Sequence, residues 1–373
     1  MVSAASSASL ITLFQTAGFP LADAPLLQRA DVFLDLSGED IRRRLFLTQD
    51  AAGVELCLRP EFTIPLCLQA VAEGGGSLRR GLSYWGPVFR QRQGESGEFI
   101  QAGVESLGRG DAEAADAEIL ALAIESARLL GERNPLIRMG DAGLINGVLD
   151  GLSVSPGLAR RLKRRLAAGR SPEEALGNGA HGSGLDRYAG VMTALEGAGQ
   201  SSARAFVGDM LTISGVRAAG GRSAEEIAER FLRKAQEGGG TLDEKRAAVL
   251  REFLSISGHP DSVTAAIRKL ASRHSLSIAP ALERYESRLG FMAAQGIDLG
   301  QVTASGGFVR NLDYYTGMVF EIVPPSPSTP KPLVGGGRYD TLLKRLGSPV
   351  DVPAVGFSIW VERFRPSLSG SAA

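Results

Sequence analysis

Val309-Arg-Asn-Leu-Asp-Tyr-Tyr315 sets one guanidinium and two phenols in a single short run, just ahead of the strand-like Met318 to Val323. A free amino acid carries an ammonium, a carboxylate and a side chain. A pocket for it needs an anion or carbonyl, a guanidinium, and groups that read the side chain. Arg310 suits the carboxylate. Working outward, the complementary groups lie near the other end of the chain, in Leu58-Arg-Pro-Glu-Phe-Thr63 and Gln101-Ala-Gly-Val-Glu105. On a strand, positions four apart share a face, so Gln101 and Glu105 project to one side and line one wall. Glu61, Thr63 and Gln101 suit the ammonium, while Glu105 and the Tyr315 hydroxyl can hydrogen-bond the two nitrogens of an imidazole. Tyr314 is either a second wall or core. Any one of these residues alone reads more simply as structure, a glutamate on a solvated strand face or tyrosines packed on a sheet. It is their joint presence that points to a histidine-like ligand.

Around these segments the texture alternates. Ser9 to Thr16 reads as a short helix stopped at Gly18, and Leu45–Thr48 with Val54–Leu58 flank Asp50-Ala-Ala-Gly53 as a hairpin. Pro60 opens a helix to about Ala72. Leu82–Arg92 and Phe99–Gly108 surround Gly94-Glu-Ser-Gly97 as an antiparallel pair, and Ala112 to Leu130 follows as an amphipathic helix laid on that sheet. Residues 1–142 are thus the first part of a core. From 143 to 299 an Ala/Arg/Glu/Leu-rich texture with Gly-rich breaks predicts a mostly helical insertion, including a capping box at Ser223-Ala-Glu-Glu226. Its basic stretch Arg160, Arg161, Lys163, Arg164, Arg165 reads as a solvated helix face with Leu162 and Leu166 turned inward, in preference to a phosphate contact. Residues 300–366 return to strand texture as the second part of the core, and 367–373 form a tail.

Composition narrows the function classes. Of 373 residues, 44% are hydrophobic and 22% charged, enough for one large core and room for a second. Forty-one basic residues balance forty-one acidic ones, so no overall field draws the chain to nucleic acid or to an anionic membrane. Cys57 and Cys67, without a Cys-x-x-Cys or a nearby His, indicate neither a zinc site nor a disulfide framework and read as small core residues in a reducing compartment. The start lacks a basic region followed by an apolar run, and no apolar run reaches membrane-spanning length. The expected location is cytoplasmic, with no metal and no cofactor.

Six segments in order carry a family resemblance: Leu58–Thr63, Gly86-Pro-Val-Phe-Arg90, Gln101–Glu105, Val309–Tyr315, Gly336-Gly-Arg-Tyr-Asp340, and Pro353-Ala-Val-Gly-Phe357 running on to Glu362-Arg363. Together they resemble the catalytic core of histidyl-tRNA synthetase over roughly residues 1 to 140 and 300 to 366; the insertion matches in position and helical character only. The resemblance implies an α+β fold of the class II aminoacyl-tRNA synthetase type, a six-stranded antiparallel sheet flanked by helices and assembled from both ends of the chain. It implies a histidine site at Glu61, Thr63, Arg90, Gln101, Glu105, Arg310, Tyr314 and Tyr315.

The nucleotide half departs from the synthetase pattern. Arg90 and Arg363 stand where that family clamps the triphosphate. The family's glutamate two residues after the first arginine is Arg92 here, and the turn Gln93 to Glu98 is short and without cations. Where the synthetases have glycine before Leu-Glu-Arg, this chain has Trp360, which either occupies space for adenine and ribose or points into the core. A synthetase continues into an anticodon-binding domain, whereas here Phe364 to Ala373 follow the arginine motif. An intact amino-acid pocket beside an altered nucleotide half resembles the ATP phosphoribosyltransferase regulatory subunits, paralogues of the synthetase. That resemblance implies a non-catalytic subunit for the first step of histidine biosynthesis, with no tRNA or membrane role. It implies activation of a short catalytic subunit, histidine as feedback inhibitor, and a homodimer within a hetero-octamer. The alternative is a truncated synthetase-like enzyme that makes histidyl-adenylate for an acceptor other than tRNA; a third is an amino-acid sensor acting on another protein.

Overall fold

The computed structural model describes residues 4–37, 39–74, 79–177, 242–310, 314–325 and 331–364. The capping box expected at Ser223–Glu226, and Asn311 to Asp313 of the stretch quoted first, lie outside the described residues.

The hairpin expected near the N-terminus is part of a small antiparallel sheet of β1 (Leu27–Arg29), β2 (Leu47–Gln49) and β3 (Glu55–Leu58), with β3 in the middle. Gly53 takes a positive φ of 81° in its turn, a conformation that costs glycine little. The main sheet has β4 (Arg80–Phe89), β5 (Glu98–Leu107), β6 (Leu136–Asp141), β7 (Ser257–Gly258), β8 (Val302–Ser305), β9 (Met318–Val323), β10 (Val334–Arg338) and β11 (Ala354–Trp360), in the order β4-β5-β11-β10-β9-β6-β8-β7. Three strands from the C-terminal part, β11, β10 and β9, therefore sit between β5 and β6 from the N-terminal part. The pairs from β4 through β9 to β6 are antiparallel, but β6 and β8 run parallel, so the sheet is mixed and larger than six strands.

Register fixes the two faces. Gln101 pairs with Trp360, Glu105 with Gly356, Gly335 with both Ser358 and Glu321, and Gly337 with Gly356 and Val319. Since directly paired residues project to the same side, Gln101, Glu105, Trp360, Glu321 and the glycines 335, 337 and 356 share one face. The other face carries Val104, Phe320, Phe357 and Arg338. It is covered by the helix Ala112–Leu129 and by the helix Ala4–Thr16, whose Phe14 meets Phe357 edge-on at 6.0 Å.

A buried ion cluster fastens this second face. Asp116 accepts from Nε of Arg288 at 2.7 Å and Nε of Arg338 at 2.8 Å. Arg288 also reaches Asp141 at 2.6 Å, and Arg338 donates to Asp340 and to the Ala112 carbonyl, each at 2.8 Å. Every buried charge here has an opposite partner, the condition under which desolvated ions are tolerated.

By its contacts the chain divides into a unit of residues 1–148 with 253–373 and a second unit of 149–252. The helices Pro260–His274 and Ala279–Ala294, inside the 143–299 span read as insertion, group with the first unit, the latter packing on Ala112–Leu129. In the second unit, Pro156–Ala167 is capped by the Ser155 hydroxyl and buries Leu162 and Leu166, the two residues expected to face inward from the basic stretch. Pro172–Leu176 starts with a complete capping box of Ser171 and Glu174.

Candidate functional site

Pro60 precedes a helix that begins at Thr63 and runs to Gly74. The carboxylate of Glu61 caps it, accepting from the backbone N–H groups of Thr63 at 2.8 Å and Ile64 at 2.9 Å. Burial pushes the Glu61 pKa up against those two donors and the nearby Arg90. From the first turn of the same helix, the Thr63 hydroxyl donates to Oε1 of Glu105 at 2.6 Å, which joins the helix to β5.

Glu105 is 1% exposed. Its second oxygen accepts from the Tyr339 hydroxyl, and burial drives its pKa up to about 8 despite both hydroxyl donors. Its carboxyl lies flat on the Gly356 backbone, where a Cβ would overlap Oε2. Gly335 lies under the Arg310 guanidinium in the same way, and Gly337 under the Tyr315 ring. Glycine at these points lets polar side chains rest against the sheet.

Arg310 donates through Nη1 to the Phe320 carbonyl at 3.2 Å and to Oε1 of Glu321 at 3.0 Å. The Tyr315 hydroxyl lies beside this guanidinium, which opposes the upward push of burial on its pKa. Tyr314 is buried, 5.1 Å from Tyr315 and 5.7 Å from Tyr339 between ring centroids. It therefore serves as core. Arg90 donates Nε to the Pro60 carbonyl at 2.6 Å, and burial beside Arg44 lowers its pKa to about 10.

Among the described residues, two polar atoms in this region are buried without a hydrogen-bond partner: Oε1 of Gln101, an acceptor, and Nε of Arg310, a donor. A buried unpaired polar atom costs about 1–3 kcal/mol.

At the nucleotide half, Trp360 is 9% exposed and belongs to the buried apolar cluster. It is also on the pocket face, with the Arg363 guanidinium 4.5 Å from its ring and that of Arg310 at 5.9 Å. Of the two placements considered for the indole, the structure shows the core one. Arg92 folds back on its own turn, donating to the Ser96 carbonyl at 2.6 and 3.0 Å, pairing with Glu95 at 2.7 Å and stacking on Phe99 at 4.1 Å. Sequence reasoning did not assign Glu321 or Tyr339 to the site. Alternation along β9 and the tyrosine in Gly336-Gly-Arg-Tyr-Asp340 were the available signals.

A family model described as histidyl-tRNA synthetase matches residues 3–206 and 193–364. Among curated relatives, the ATP phosphoribosyltransferase regulatory subunit of Brucella anthropi is 38% identical over 348 residues, covering 92% of each chain. That of Rhizobium meliloti is 36% identical over 381 residues, 99% of this chain and 98% of its own. The chain belongs to the ATP phosphoribosyltransferase regulatory subunit family. Solved structures bear out the synthetase-like α+β fold of that family. A Bacillus halodurans protein described as an ATP phosphoribosyltransferase regulatory subunit/histidyl-tRNA synthetase superimposes with a TM-score of 0.66 at 21% identity, over 97% of this chain and 79% of that one. Histidyl-tRNA synthetase from Nostoc sp. PCC 7120 gives 0.64 at 17% identity, over 96% of this chain and 69% of that one.

Proposed function

We propose that this chain is the regulatory subunit of an ATP phosphoribosyltransferase and that its pocket takes free histidine as the feedback signal. Family membership over nearly the whole length supports the regulatory role. The placement of Gln101, Glu105 and the Arg310 guanidinium on one face of the sheet carries the choice of a free amino acid with an imidazole side chain. Glu105 reads the ring, Arg310 takes the carboxylate, Gln101 takes the ammonium, and Thr63, Tyr314 and Tyr315 complete the walls. Glu61 and Arg90 act at one remove, Glu61 by starting the helix that presents Thr63 and Arg90 by bracing Pro60. The Arg363–Trp360–Arg310 stack fills the nucleotide side, so the subunit works by binding rather than by activating histidine. It acts as a homodimer within a larger assembly with the short catalytic chain.

Calorimetry with histidine on the full chain tests the pocket. The native protein should give a saturable binding heat, and Arg310→Ala should weaken binding by about 2–5 kcal/mol, the range for removing one partner of a buried charged pair. Equal affinity in a folded Arg310→Ala protein would rule this pocket out as the binding site.

A further inference from the structure

Both oxygens of the Glu105 carboxyl are engaged before any ligand arrives, one by the Thr63 hydroxyl and one by the Tyr339 hydroxyl. Thr63 is held at a helix start. Tyr339 is held more firmly still. Its ring is 2% exposed and packs edge-on against Tyr314, and its N–H donates to the Ala354 carbonyl at 2.7 Å. The residues on either side of it are anchored too. Arg338 is tied to Asp116 and to the Ala112 carbonyl on the far face. Asp340 accepts from Arg338 and from the Ala354 N–H, while its own N–H donates to the Thr316 hydroxyl. A tyrosine so placed cannot follow a carboxyl that rotates; the carboxyl must conform to it.

We propose that Tyr339 is a positioning residue for the side-chain end of the pocket, its hydroxyl fixing the Glu105 carboxyl so that an imidazole N–H meets a preoriented acceptor. This rests on the reading that the pocket takes free histidine. Preorientation matters because each rotor frozen only on binding subtracts from affinity. Donation by Tyr339 also favours the ionised carboxyl, in opposition to burial.

Phe at position 339 keeps the ring and its contact with Tyr314 and removes only the hydroxyl. Histidine affinities of the native full chain, Tyr339→Phe, Glu105→Gln and the double variant form a cycle. Tyr339→Phe should bind roughly tenfold more weakly, the scale of one hydrogen bond. Because it acts through Glu105, it should cause no further loss once that residue is Gln. No loss in the single variant, or equal losses in both backgrounds, overturns the proposal. A native chain that binds no histidine would refute the pocket assignment itself, and a ligand-free readout would then decide on Tyr339. Melting temperatures from pH 5 to 9 should decline for as long as folded Glu105 keeps a proton that the unfolded chain has released, and level off once it ionises. In Tyr339→Phe, where the carboxyl has lost a donor and keeps its proton longer, the decline should begin at the same pH but continue to a higher one. A decline that ends at the same pH in both proteins would mean that the hydroxyl does not govern Glu105.

Discussion

Glu105 shows how one residue joins distant segments of the fold at the proposed site. Period-two alternation alone put it on the same face as Gln101, and the pairing of these residues with Gly356 and Trp360 agrees. What alternation could not supply was the neighbour across the sheet. Tyr339 is 234 residues away, and its contact exists only because β11 lies beside β5 and β10 beside β11. The outcome is a carboxyl with a folded-state pKa of about 8, above the value of about 4.3 for a free glutamate. The folded protein thus holds a proton that the unfolded chain releases. Its contribution to stability is complete below the unfolded pKa and is lost as pH rises through the folded one. Thermal stability should fall between about pH 5 and pH 8, and Glu105→Gln, which cannot ionise, should flatten that part of the profile; a profile unchanged by the substitution would contradict the assigned ionisation.

Most elements that carry the site were legible because their signals are local. The helix after Pro60, the β4–β5 pair with its turn, the helix Ala112–Leu129 and the strand Met318–Val323 all lie close to their expected places. The parallel partnership of β6 and β8 was not legible, since Leu136–Asp141 and Val302–Ser305 are short and nothing in either names the other. The same is true of the ion cluster that locks these elements together. Asp116, Arg288 and Arg338 come from two helices and a strand widely separated in sequence, and their pairing emerges only when the sheet closes. Asp116 is fully buried between two arginines. Replacing it by Ala leaves Arg288 with Asp141 alone and Arg338 with Asp340 and the Ala112 carbonyl, and should cost about 3–5 kcal/mol of unfolding free energy, as measured by urea titration. A loss below about 1 kcal/mol would mean that these remaining partners suffice for both guanidiniums.

At the scale of the whole molecule, balanced charge is joined to a synthetase-like sheet, and the proposed amino-acid pocket is the feature through which the chain would respond to its surroundings. Among the described residues, no helix is long and apolar enough to cross a membrane and no cluster could hold a metal ion. Family resemblance in the sequence pointed to a partner, but no local pattern marks the surface that meets it, because docking surfaces follow from the assembled shape rather than from spacing along the chain. The proposed regulation, by linkage, requires that histidine favour one state of the proposed assembly over another. The direct test is reconstitution with the short catalytic subunit from the same source, measuring ATP phosphoribosyltransferase activity against histidine concentration for the native chain and for Glu105→Gln. The native chain should raise the activity and make it histidine-sensitive, and Glu105→Gln should raise it equally while needing more histidine for inhibition. Identical inhibition in both, with histidine binding to the variant subunit abolished, would place the effector on the catalytic chain and contradict the account of this pocket.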